Sequence, residues 1–227
     1  MISSKELTHE GIKMISTKDG SNSLYLPQIN EHYHSIHGAI SESLHVFIEN
    51  GLKSMKNNPI SILEVGFGTG LNAWLTAIHA EKLSRKVKYT GFELYPLSPK
   101  DIKKLNYPAQ YGSHEPLWNA IHSSDWNETQ ALSENFELFK KQGDIHDLKD
   151  DLLYNLCYFD AFAPEKQPEM WSEELFSKIL MSLKPDGELI TYCAKGDVRR
   201  TLKKVGFTVE RLAGPPGKRE MLRGIKK

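Results

Sequence analysis

The sequence has few cysteines and no long apolar run, and both features narrow the class of protein. Its two cysteines, Cys157 and Cys193, each lie inside an apolar run that predicts a strand. We therefore expect two buried thiols in a reducing cytoplasm, with neither a disulfide nor a metal site. No apolar run approaches the roughly 18 residues that a membrane span needs, and residues 1–6 lack the apolar core of a signal peptide. The expectation is a cytoplasmic protein without a membrane partner.

An excess of charge of one sign is also lacking, because 29 Lys and Arg residues balance 29 Asp and Glu residues. The whole molecule therefore exerts no long-range attraction on nucleic acid, and an RNA partner would need a local basic patch. The 227 residues, of which 39% are hydrophobic, suffice for one sizeable core. We predict a substrate-side extension with a hairpin at residues 1–40 and one compact domain at residues 41–227.

Strands and helices alternate along the compact domain, which predicts an α/β fold with a doubly wound, mostly parallel sheet. Strands are expected at residues 60–65, 87–94, 136–140, 156–159, 187–193, 207–212 and 220–225. Helices are expected at residues 41–55, 71–83, 99–105, 171–183 and 197–205. Ser41 is the predicted N-cap of the first helix, and residues 184–187 are expected to stop the helix that precedes them. The pattern at residues 107–134 is irregular and predicts an insertion near the site.

A glycine-rich loop follows the first strand of the compact domain, in the segment Glu64-Val-Gly-Phe-Gly-Thr-Gly-Leu-Asn72. Glycines are needed where a backbone turns sharply and passes close to a ligand, because a Cβ would block the approach. Glu93 ends the next strand, where a nucleotide-binding sheet places the acid that holds ribose hydroxyls. Asp144 follows a third strand. Acids at successive strand ends predict a nucleotide-like cofactor.

The segment after the strand at residues 156–159 changes character abruptly. Asp160 stands where the strand ends, Phe162 follows two residues later, and Pro164 and Pro168 stiffen the loop. Ligands of open α/β sheets bind just outside the carboxyl ends of the strands. An acid and an aromatic ring on a rigid loop at that place suit the capture of a cationic or amine-bearing substrate.

The glycine loop carries an acid before its first glycine, and this form resembles the first motif of S-adenosylmethionine-dependent methyltransferases. The resemblance implies a Rossmann-like class I fold with a seven-stranded sheet and a terminal antiparallel hairpin. It implies S-adenosyl-L-methionine as cofactor, with Glu93 on the ribose hydroxyls and Asp144 near the adenine amino group. The residues implied to bind the cofactor are Glu64, Gly66, Phe67, Gly68, Gly70, Asn72, Glu93, Asp144, Ile145 and Asp160.

Three further segments make the resemblance more specific, namely Asp160-Ala-Phe-Ala-Pro164, Lys166-Gln-Pro-Glu-Met-Trp171 and Gly217-Lys-Arg-Glu-Met221. With the glycine loop they resemble the methyltransferases that finish 5-methylaminomethyl-2-thiouridine at the tRNA wobble position. In many bacteria this domain is fused to an FAD-dependent oxidase, and the sequence resembles a stand-alone form without the oxidase. Ala161 and Gln167 stand where the fused enzyme tends to have Gly and Asn, and neither change removes a reactive group.

The resemblance implies an N-methyltransferase that acts on the 5-aminomethyl group of a tRNA uridine. Asp160 is the candidate to orient the amine and to accept its proton, directly or through water. Phe162 is the candidate to face the ammonium and the methyl group. The residues expected on the tRNA side are Tyr33, His34, Lys166, Trp171, Arg199, Arg200, Lys203, Lys218 and Arg219. The expected partner is the anticodon stem-loop of tRNA, and the protein is expected to be a monomer or weak dimer without an obligate protein partner.

Three other functions stay open at this point. An aminopropyltransferase of the spermidine synthase type has the same fold, but it usually shows a Gly-Gly-Gly-Asp-Gly loop and paired aspartates that are missing here. A methyltransferase acting on another amine would fit the same residues. A non-catalytic RNA-binding module on this fold is disfavoured, because Glu64, Glu93, Asp144 and Asp160 are all present.

Overall fold

The computed structural model describes residues 11–149 and 153–227. Within them, a small antiparallel sheet precedes a large sheet with helices on both faces. The small sheet consists of β1 (Lys13–Ser16), β2 (Asn22–Leu26) and β3 (Glu31–His32). The predicted hairpin is therefore confirmed, and β3 adds a strand too short to leave a sequence pattern. Residues 1–10 of the predicted extension lie outside the described residues.

The large sheet has the strand order β10-β11-β9-β8-β4-β5-β7-β6. Its strands are β4 (Ile60–Val65), β5 (Val87–Glu93), β6 (Thr129–Ala131), β7 (Phe136–Gln142), β8 (Tyr154–Phe159), β9 (Leu183–Thr191), β10 (Thr208–Ala213) and β11 (Glu220–Ile225). The five strands from β9 to β7 pair in parallel, whereas β10, β11 and β6 pair antiparallel at the two edges. The Rossmann-like class I fold is thus confirmed, with the terminal hairpin in place. The eighth strand, β6, is a three-residue edge strand that was not predicted.

The helices are α1 (Ala39–Ser43), which continues as a π-helical segment (Leu44–Leu52), α2 (Leu71–Lys82), α3 (Pro99–Ile102), α4 (Tyr107–Tyr111), α5 (Glu115–Ser123), α6 (Glu173–Ser182) and α7 (Gly196–Val205). Side chains of β8 alternate between two hydrophobic clusters. Leu156 and Tyr158 pack in the first, whereas Cys157 and Phe159 pack in the second. Because neighbouring residues of a strand point to opposite faces, the clusters cover the two faces of the sheet.

Three local predictions are wrong. Residues 107–134 are not irregular but contain α4, α5 and β6, and their short lengths hide the helical period. Ser41 is not an N-cap, because α1 begins at Ala39 and the Ser41 hydroxyl donates a hydrogen bond to Asp19 at 2.8 Å. Strand β9 begins at Leu183 and not at residue 187, so residues 184–187, which are expected to stop the preceding helix, follow its end at Ser182 but lie within the strand. Asp186 has a φ of 59°, a left-handed conformation that marks an irregularity in this strand.

Both cysteines are buried and unbridged. None of the helices described has the length and apolar composition that crossing a bilayer demands. In the same part of the chain, no three His, Cys, Asp or Glu side chains cluster in a way that could hold a metal ion. The order of the parallel strands reverses between β4 and β8: β5 and β7 follow on one side of β4, whereas β8 and β9 follow on the other. Open α/β sheets bind their ligands at such a reversal, outside the carboxyl ends of the strands.

Candidate active site

The glycine-rich loop joins β4 to α2 at this reversal point. Gly66 has a φ of 87°, which an L side chain rarely adopts. A Cβ at Gly66 would lie 2.8 Å from the backbone oxygen of Asp160, closer than real Cβ atoms come to any neighbour. The absence of a side chain therefore allows the loop after β4 to lie directly against the loop after β8. The first glycine of the motif is needed to assemble the site.

Glu93 ends β5 and binds the glycine loop through its carboxylate. One oxygen accepts a hydrogen bond from the backbone N–H of Gly68 at 2.9 Å, and the other accepts from Tyr95 N–H at 2.9 Å. Burial raises the pKa of Glu93, and these N–H groups oppose the rise because they stabilise the carboxylate. The predicted ribose acid thus lies in the site, and it also fixes the shape of the loop.

Asn72 lies in the first turn of α2 and connects two acids. Its Nδ2 donates to Asp160 Oδ2 at 2.8 Å and to Glu64 Oε1 at 2.9 Å. Glu64 is 0% exposed, and burial raises its pKa well above the usual value. Glu64 does not line the cavity. It is connected to the cavity through its hydrogen bond with Asn72.

Asp160 follows β8 and lines the cavity between the loops. Burial raises its pKa to about 7, and the negative charge of Glu42 adds to the rise. The hydrogen bond from Asn72 and the positive charge of Lys218 act in the opposite direction. A carboxyl group that titrates near neutral pH can accept and release a proton, which is what general acid–base catalysis requires.

Phe162 and Tyr33 close the cavity on one side. Their rings meet edge to face with centroids 5.2 Å apart, and the Tyr33 ring also lies over Gly68. The enclosed space is only about 100 Å³, whereas ligand pockets usually measure about 300–1,000 Å³. The residues that line the cavity include Tyr33, His34, Gly66, Phe67, Gly68, Asn72, Glu93, Asp144, Ile145, Asp160 and Phe162.

Asp144 follows β7 and lines the same cavity. Its Oδ1 accepts a hydrogen bond from the backbone N–H of His146 at 2.9 Å and pairs with His146 Nδ1 at 2.7 Å. The neighbouring Ile145 is buried and contributes an apolar wall. The structure thus brings together the predicted cofactor residues after β4, β5, β7 and β8.

Two residues expected on the tRNA side are buried instead. The Trp171 indole N–H donates to the backbone oxygen of Phe162 at 2.8 Å, so Trp171 fixes the loop that carries Phe162 and offers no surface to RNA. His34 lies beneath Thr69 and Tyr107, and burial lowers its pKa to about 4. His34 is therefore neutral at physiological pH and faces the cavity.

The predicted basic residues differ in their availability. Arg200, Lys203 and Arg219 are exposed, and Arg200 pairs with Asp197 on the same helix. Arg199 and Lys166 are partly buried. Lys218 is turned inward, because its Nζ lies 2.7 Å from Glu42 Oε1. Fewer of the predicted basic side chains are therefore available to contact tRNA phosphates than the sequence indicates.

Sequence reasoning missed Glu42 and Tyr192. Glu42 lies on α1, where a polar residue of a surface helix is expected, and Tyr192 directly follows β9. The Tyr192 hydroxyl donates to the backbone oxygen of Ala161 at 2.8 Å, next to Asp160. Both residues contact partners that are distant in sequence, Ala161 for Tyr192 and Lys218 for Glu42. No local sequence motif predicts such contacts.

The fold and this site define an S-adenosyl-L-methionine-dependent methyltransferase of class I. A family model with the description "S-adenosyl-L-methionine-dependent methyltransferase" matches residues 117–227. A putative O-methyltransferase from Nostoc punctiforme shares the fold, with a TM-score of 0.51 at 13% identity over 77% of this chain and 55% of that one.

Proteins that are more similar to this chain indicate which methyltransferases it resembles. The tRNA 5-methylaminomethyl-2-thiouridine biosynthesis bifunctional protein MnmC of Legionella pneumophila (strain Philadelphia 1) is 31% identical, over 87% of this chain and 34% of its own. The protein of the same name from Cupriavidus metallidurans is 29% identical, over 93% and 33%. The crystal structure of MnmC2 from Aquifex aeolicus has a TM-score of 0.78 at 26% identity, over 98% of this chain and 72% of that one. The chain is thus similar to MnmC proteins over a methyltransferase part, and it spans about a third of the length of these curated relatives.

Proposed function

We propose that the protein methylates the primary amine of 5-aminomethyl-2-thiouridine at the tRNA wobble position, with S-adenosyl-L-methionine as methyl donor. The observation that carries the proposal is the placement of Asp160 and Phe162 together on the cavity wall, on a loop held by Trp171. The names of the Legionella and Cupriavidus relatives, which refer to the biosynthesis of 5-methylaminomethyl-2-thiouridine in tRNA, support this choice of substrate.

The residues present fit the cofactor. Glu93 offers a carboxylate for the two ribose hydroxyls, and Asp144 offers an acceptor for the adenine amino group. The loop at Gly66 and Gly68 brings bare backbone to the cavity. When bound, S-adenosyl-L-methionine supplies a methyl group whose bond to sulfur breaks, with the electron pair staying on sulfur, as the bond to the amine nitrogen forms.

The residues of the protein have to prepare the amine for this transfer. A primary amine is nucleophilic only when neutral, whereas its ammonium form dominates in water near neutral pH. Asp160 attracts the ammonium by its charge, and with a pKa of about 7 it can take one proton from it. Phe162 presents an aromatic ring to the cation, a contact that contributes about 0.5–2 kcal/mol. Correct orientation of the amine contributes more, about 7–11 kcal/mol in well-aligned cases.

The substrate side is proposed to consist of the residues that precede α1 and of exposed cations on α7 and in the loop between β10 and β11. Tyr33 and His34 reach the cavity, which supports the proposal that residues 1–40 form a substrate-side extension. Arg200, Lys203 and Arg219 are exposed and are proposed to contact tRNA phosphates. A tRNA substrate places the reaction in the cytoplasm.

The test is methyl transfer to tRNA isolated from a bacterial strain that accumulates 5-aminomethyl-2-thiouridine. The purified protein and S-adenosyl-L-methionine are incubated with this tRNA, and the nucleosides are analysed by mass spectrometry. We expect conversion of 5-aminomethyl- to 5-methylaminomethyl-2-thiouridine, and much slower conversion by Asp160→Ala. Absence of conversion by a protein that binds S-adenosyl-L-methionine in calorimetry would reject the tRNA substrate. Putrescine with decarboxylated S-adenosylmethionine tests the aminopropyltransferase alternative, for which we expect no product.

A further inference from the structure

A largely buried ion pair lies beside Asp160 and has no role in the chemistry described so far. Glu42 on α1 is 8% exposed, and its Oε1 lies 2.7 Å from Lys218 Nζ. The other carboxylate oxygen accepts a hydrogen bond from the backbone N–H of Ser35 at 2.9 Å. A carboxylate held in this way at a buried position needs a cation, because an unpaired buried charge is strongly unfavourable.

An aromatic ring completes the surroundings of this cation. Lys218 Nζ lies 3.9 Å from the centroid of the Tyr192 ring, within the range of a cation–π contact. The Tyr192 hydroxyl is bonded to the backbone oxygen of Ala161, so the ring is fixed to the loop that begins at Asp160. A carboxylate and an aromatic face directed at one ammonium form a site for primary ammonium groups.

The pair belongs to the same electrostatic environment as Asp160. The charge of Glu42 raises the pKa of Asp160 and the charge of Lys218 lowers it, after the larger effect of burial. The Lys218 side chain keeps 34% of its surface exposed, whereas Glu42 keeps 10%. The carboxylate is therefore fixed in the interior, while its cation faces solvent on one side.

The segment that carries Lys218 belongs to the terminal hairpin. Lys218 lies in the loop between β10 and β11, directly after Gly217, whose φ is 86°. The end of β10, where this loop begins, lies against the π-helical segment that continues α1, because His45 Nε2 is 2.8 Å from the backbone oxygen of Ala213. The N-terminal part of the chain and the terminal hairpin thus meet over Tyr192, next to the loop of Asp160.

We propose that Glu42 and Tyr192 form a subsite for a primary alkylammonium group beside Asp160, and that Lys218 occupies this subsite until the substrate amine replaces it. A lysine side chain and an aminomethyl group present the same chemistry, an ammonium on a methylene carbon. The class of ligand, a primary alkylammonium, is inferred from the lysine that occupies the subsite. The identity of the ligand as the aminomethyl group of a tRNA uridine rests on the proposed function.

The first test removes the resident cation and offers a free one. In Lys218→Ala, propylammonium chloride should raise the melting temperature by about 3–6 °C at a concentration tenfold above its Kd. Potassium chloride at equal ionic strength and tetramethylammonium, which donates no hydrogen bond, should not. The double variant Glu42→Gln/Lys218→Ala should lose the response. Equal effects of all three salts, or an undiminished response in the double variant, would overturn the proposal.

The second test uses tRNA that carries the aminomethyl group. If Lys218 competes with the substrate amine, Lys218→Met should lower the KM for this tRNA, whereas removal of a phosphate-binding lysine would raise it. Glu42→Gln/Lys218→Met, which leaves no unpaired buried lysine, should raise the KM about tenfold relative to Lys218→Met. A higher KM in Lys218→Met, or equal KM values in the single and double variants, would contradict the subsite.

The two tests separate the subsite from the proposed function. If propylammonium binds Lys218→Ala but the wild-type protein methylates no tRNA, the ammonium subsite stands and the substrate assignment fails. If tRNA is methylated while propylammonium has no effect and Glu42 can be replaced without a change in KM, the substrate assignment stands and the subsite is rejected.

Discussion

Asn72 and Asp160 are joined by a hydrogen bond of 2.8 Å between the Asn72 side-chain amide and Asp160 Oδ2. The bond connects the start of α2, which follows the cofactor loop, to the acid that is proposed to receive the substrate amine. It stabilises the carboxylate form of Asp160 and so lowers a pKa that burial raises. The proton affinity of Asp160 therefore depends on Asn72, which lies in α2 directly after the cofactor loop.

Replacing Asn72 should change the pH dependence of the reaction. In Asn72→Ala the pKa of Asp160 should rise further, because the bond that favours its charged form is absent. The lower limb of the profile of kcat/KM against pH should therefore move to higher pH. Lys82→Gln, at the far end of α2, is the matched control and should keep the wild-type profile. A loss of rate equal at every pH would show that Asn72 acts only on structure.

Glu93→Ala should lose cofactor affinity while the fold survives. A charge-assisted hydrogen bond contributes roughly 1.5–3 kcal/mol, so the Kd for S-adenosyl-L-methionine should rise about tenfold or more. The bond to the Gly68 N–H is removed as well, which loosens the loop. Isothermal titration measures the Kd, and Glu134→Ala, an exposed position before β7, serves as control. Unchanged binding in Glu93→Ala would remove the ribose assignment.

Neutralising the exposed basic surface should weaken tRNA binding in a salt-dependent way. The triple variant Arg200→Gln/Lys203→Gln/Arg219→Gln should raise the KM for tRNA. It should also reduce the slope of log KM against log salt by about 0.7–0.9 for each tRNA phosphate that the variant no longer neutralises. Cofactor affinity should not change. The control is Lys56→Gln/Lys86→Gln/Lys88→Gln, three exposed lysines near the amino ends of β4 and β5. If both triple variants keep the wild-type slope, tRNA approaches another face.

Asp160 should make the protein less stable above neutral pH. Its pKa is raised from 3.8 to about 7 in the folded state, so its contribution to stability is fully present below 3.8 and is lost as the pH rises through about 7. Asp160→Asn should therefore melt at a higher temperature than the wild type near pH 8, and the difference should shrink towards pH 4. Thermal unfolding followed by circular dichroism measures both. Equal melting temperatures near pH 8 would show that the carboxyl group is not perturbed.

The parts of the site that the sequence predicts are those with a local signal. Glycines at a strand end and acids at successive strand ends are visible in the sequence, and the structure brings Glu93, Asp144 and Asp160 around one cavity. Glu42 and Tyr192 could not be found in this way, because their role depends on the terminal hairpin folding over the N-terminal residues. The predicted tRNA contact of Trp171 fails for a related reason. A large aromatic residue in a motif can either contact the ligand or support the loop behind it, and the sequence does not distinguish the two roles.

The central claim is that Asp160 holds the substrate amine and takes its proton, and methyl transfer by Asp160→Asn across a range of pH tests it most directly. The amide is nearly isosteric, so the fold and cofactor binding should persist, while kcat should fall by about a hundredfold. The deficit should ease as the pH rises and free amine becomes abundant, whereas Asp160→Ala should be slower and should not recover. Full activity in Asp160→Ala, or a deficit in Asp160→Asn that is the same at every pH, would contradict the account.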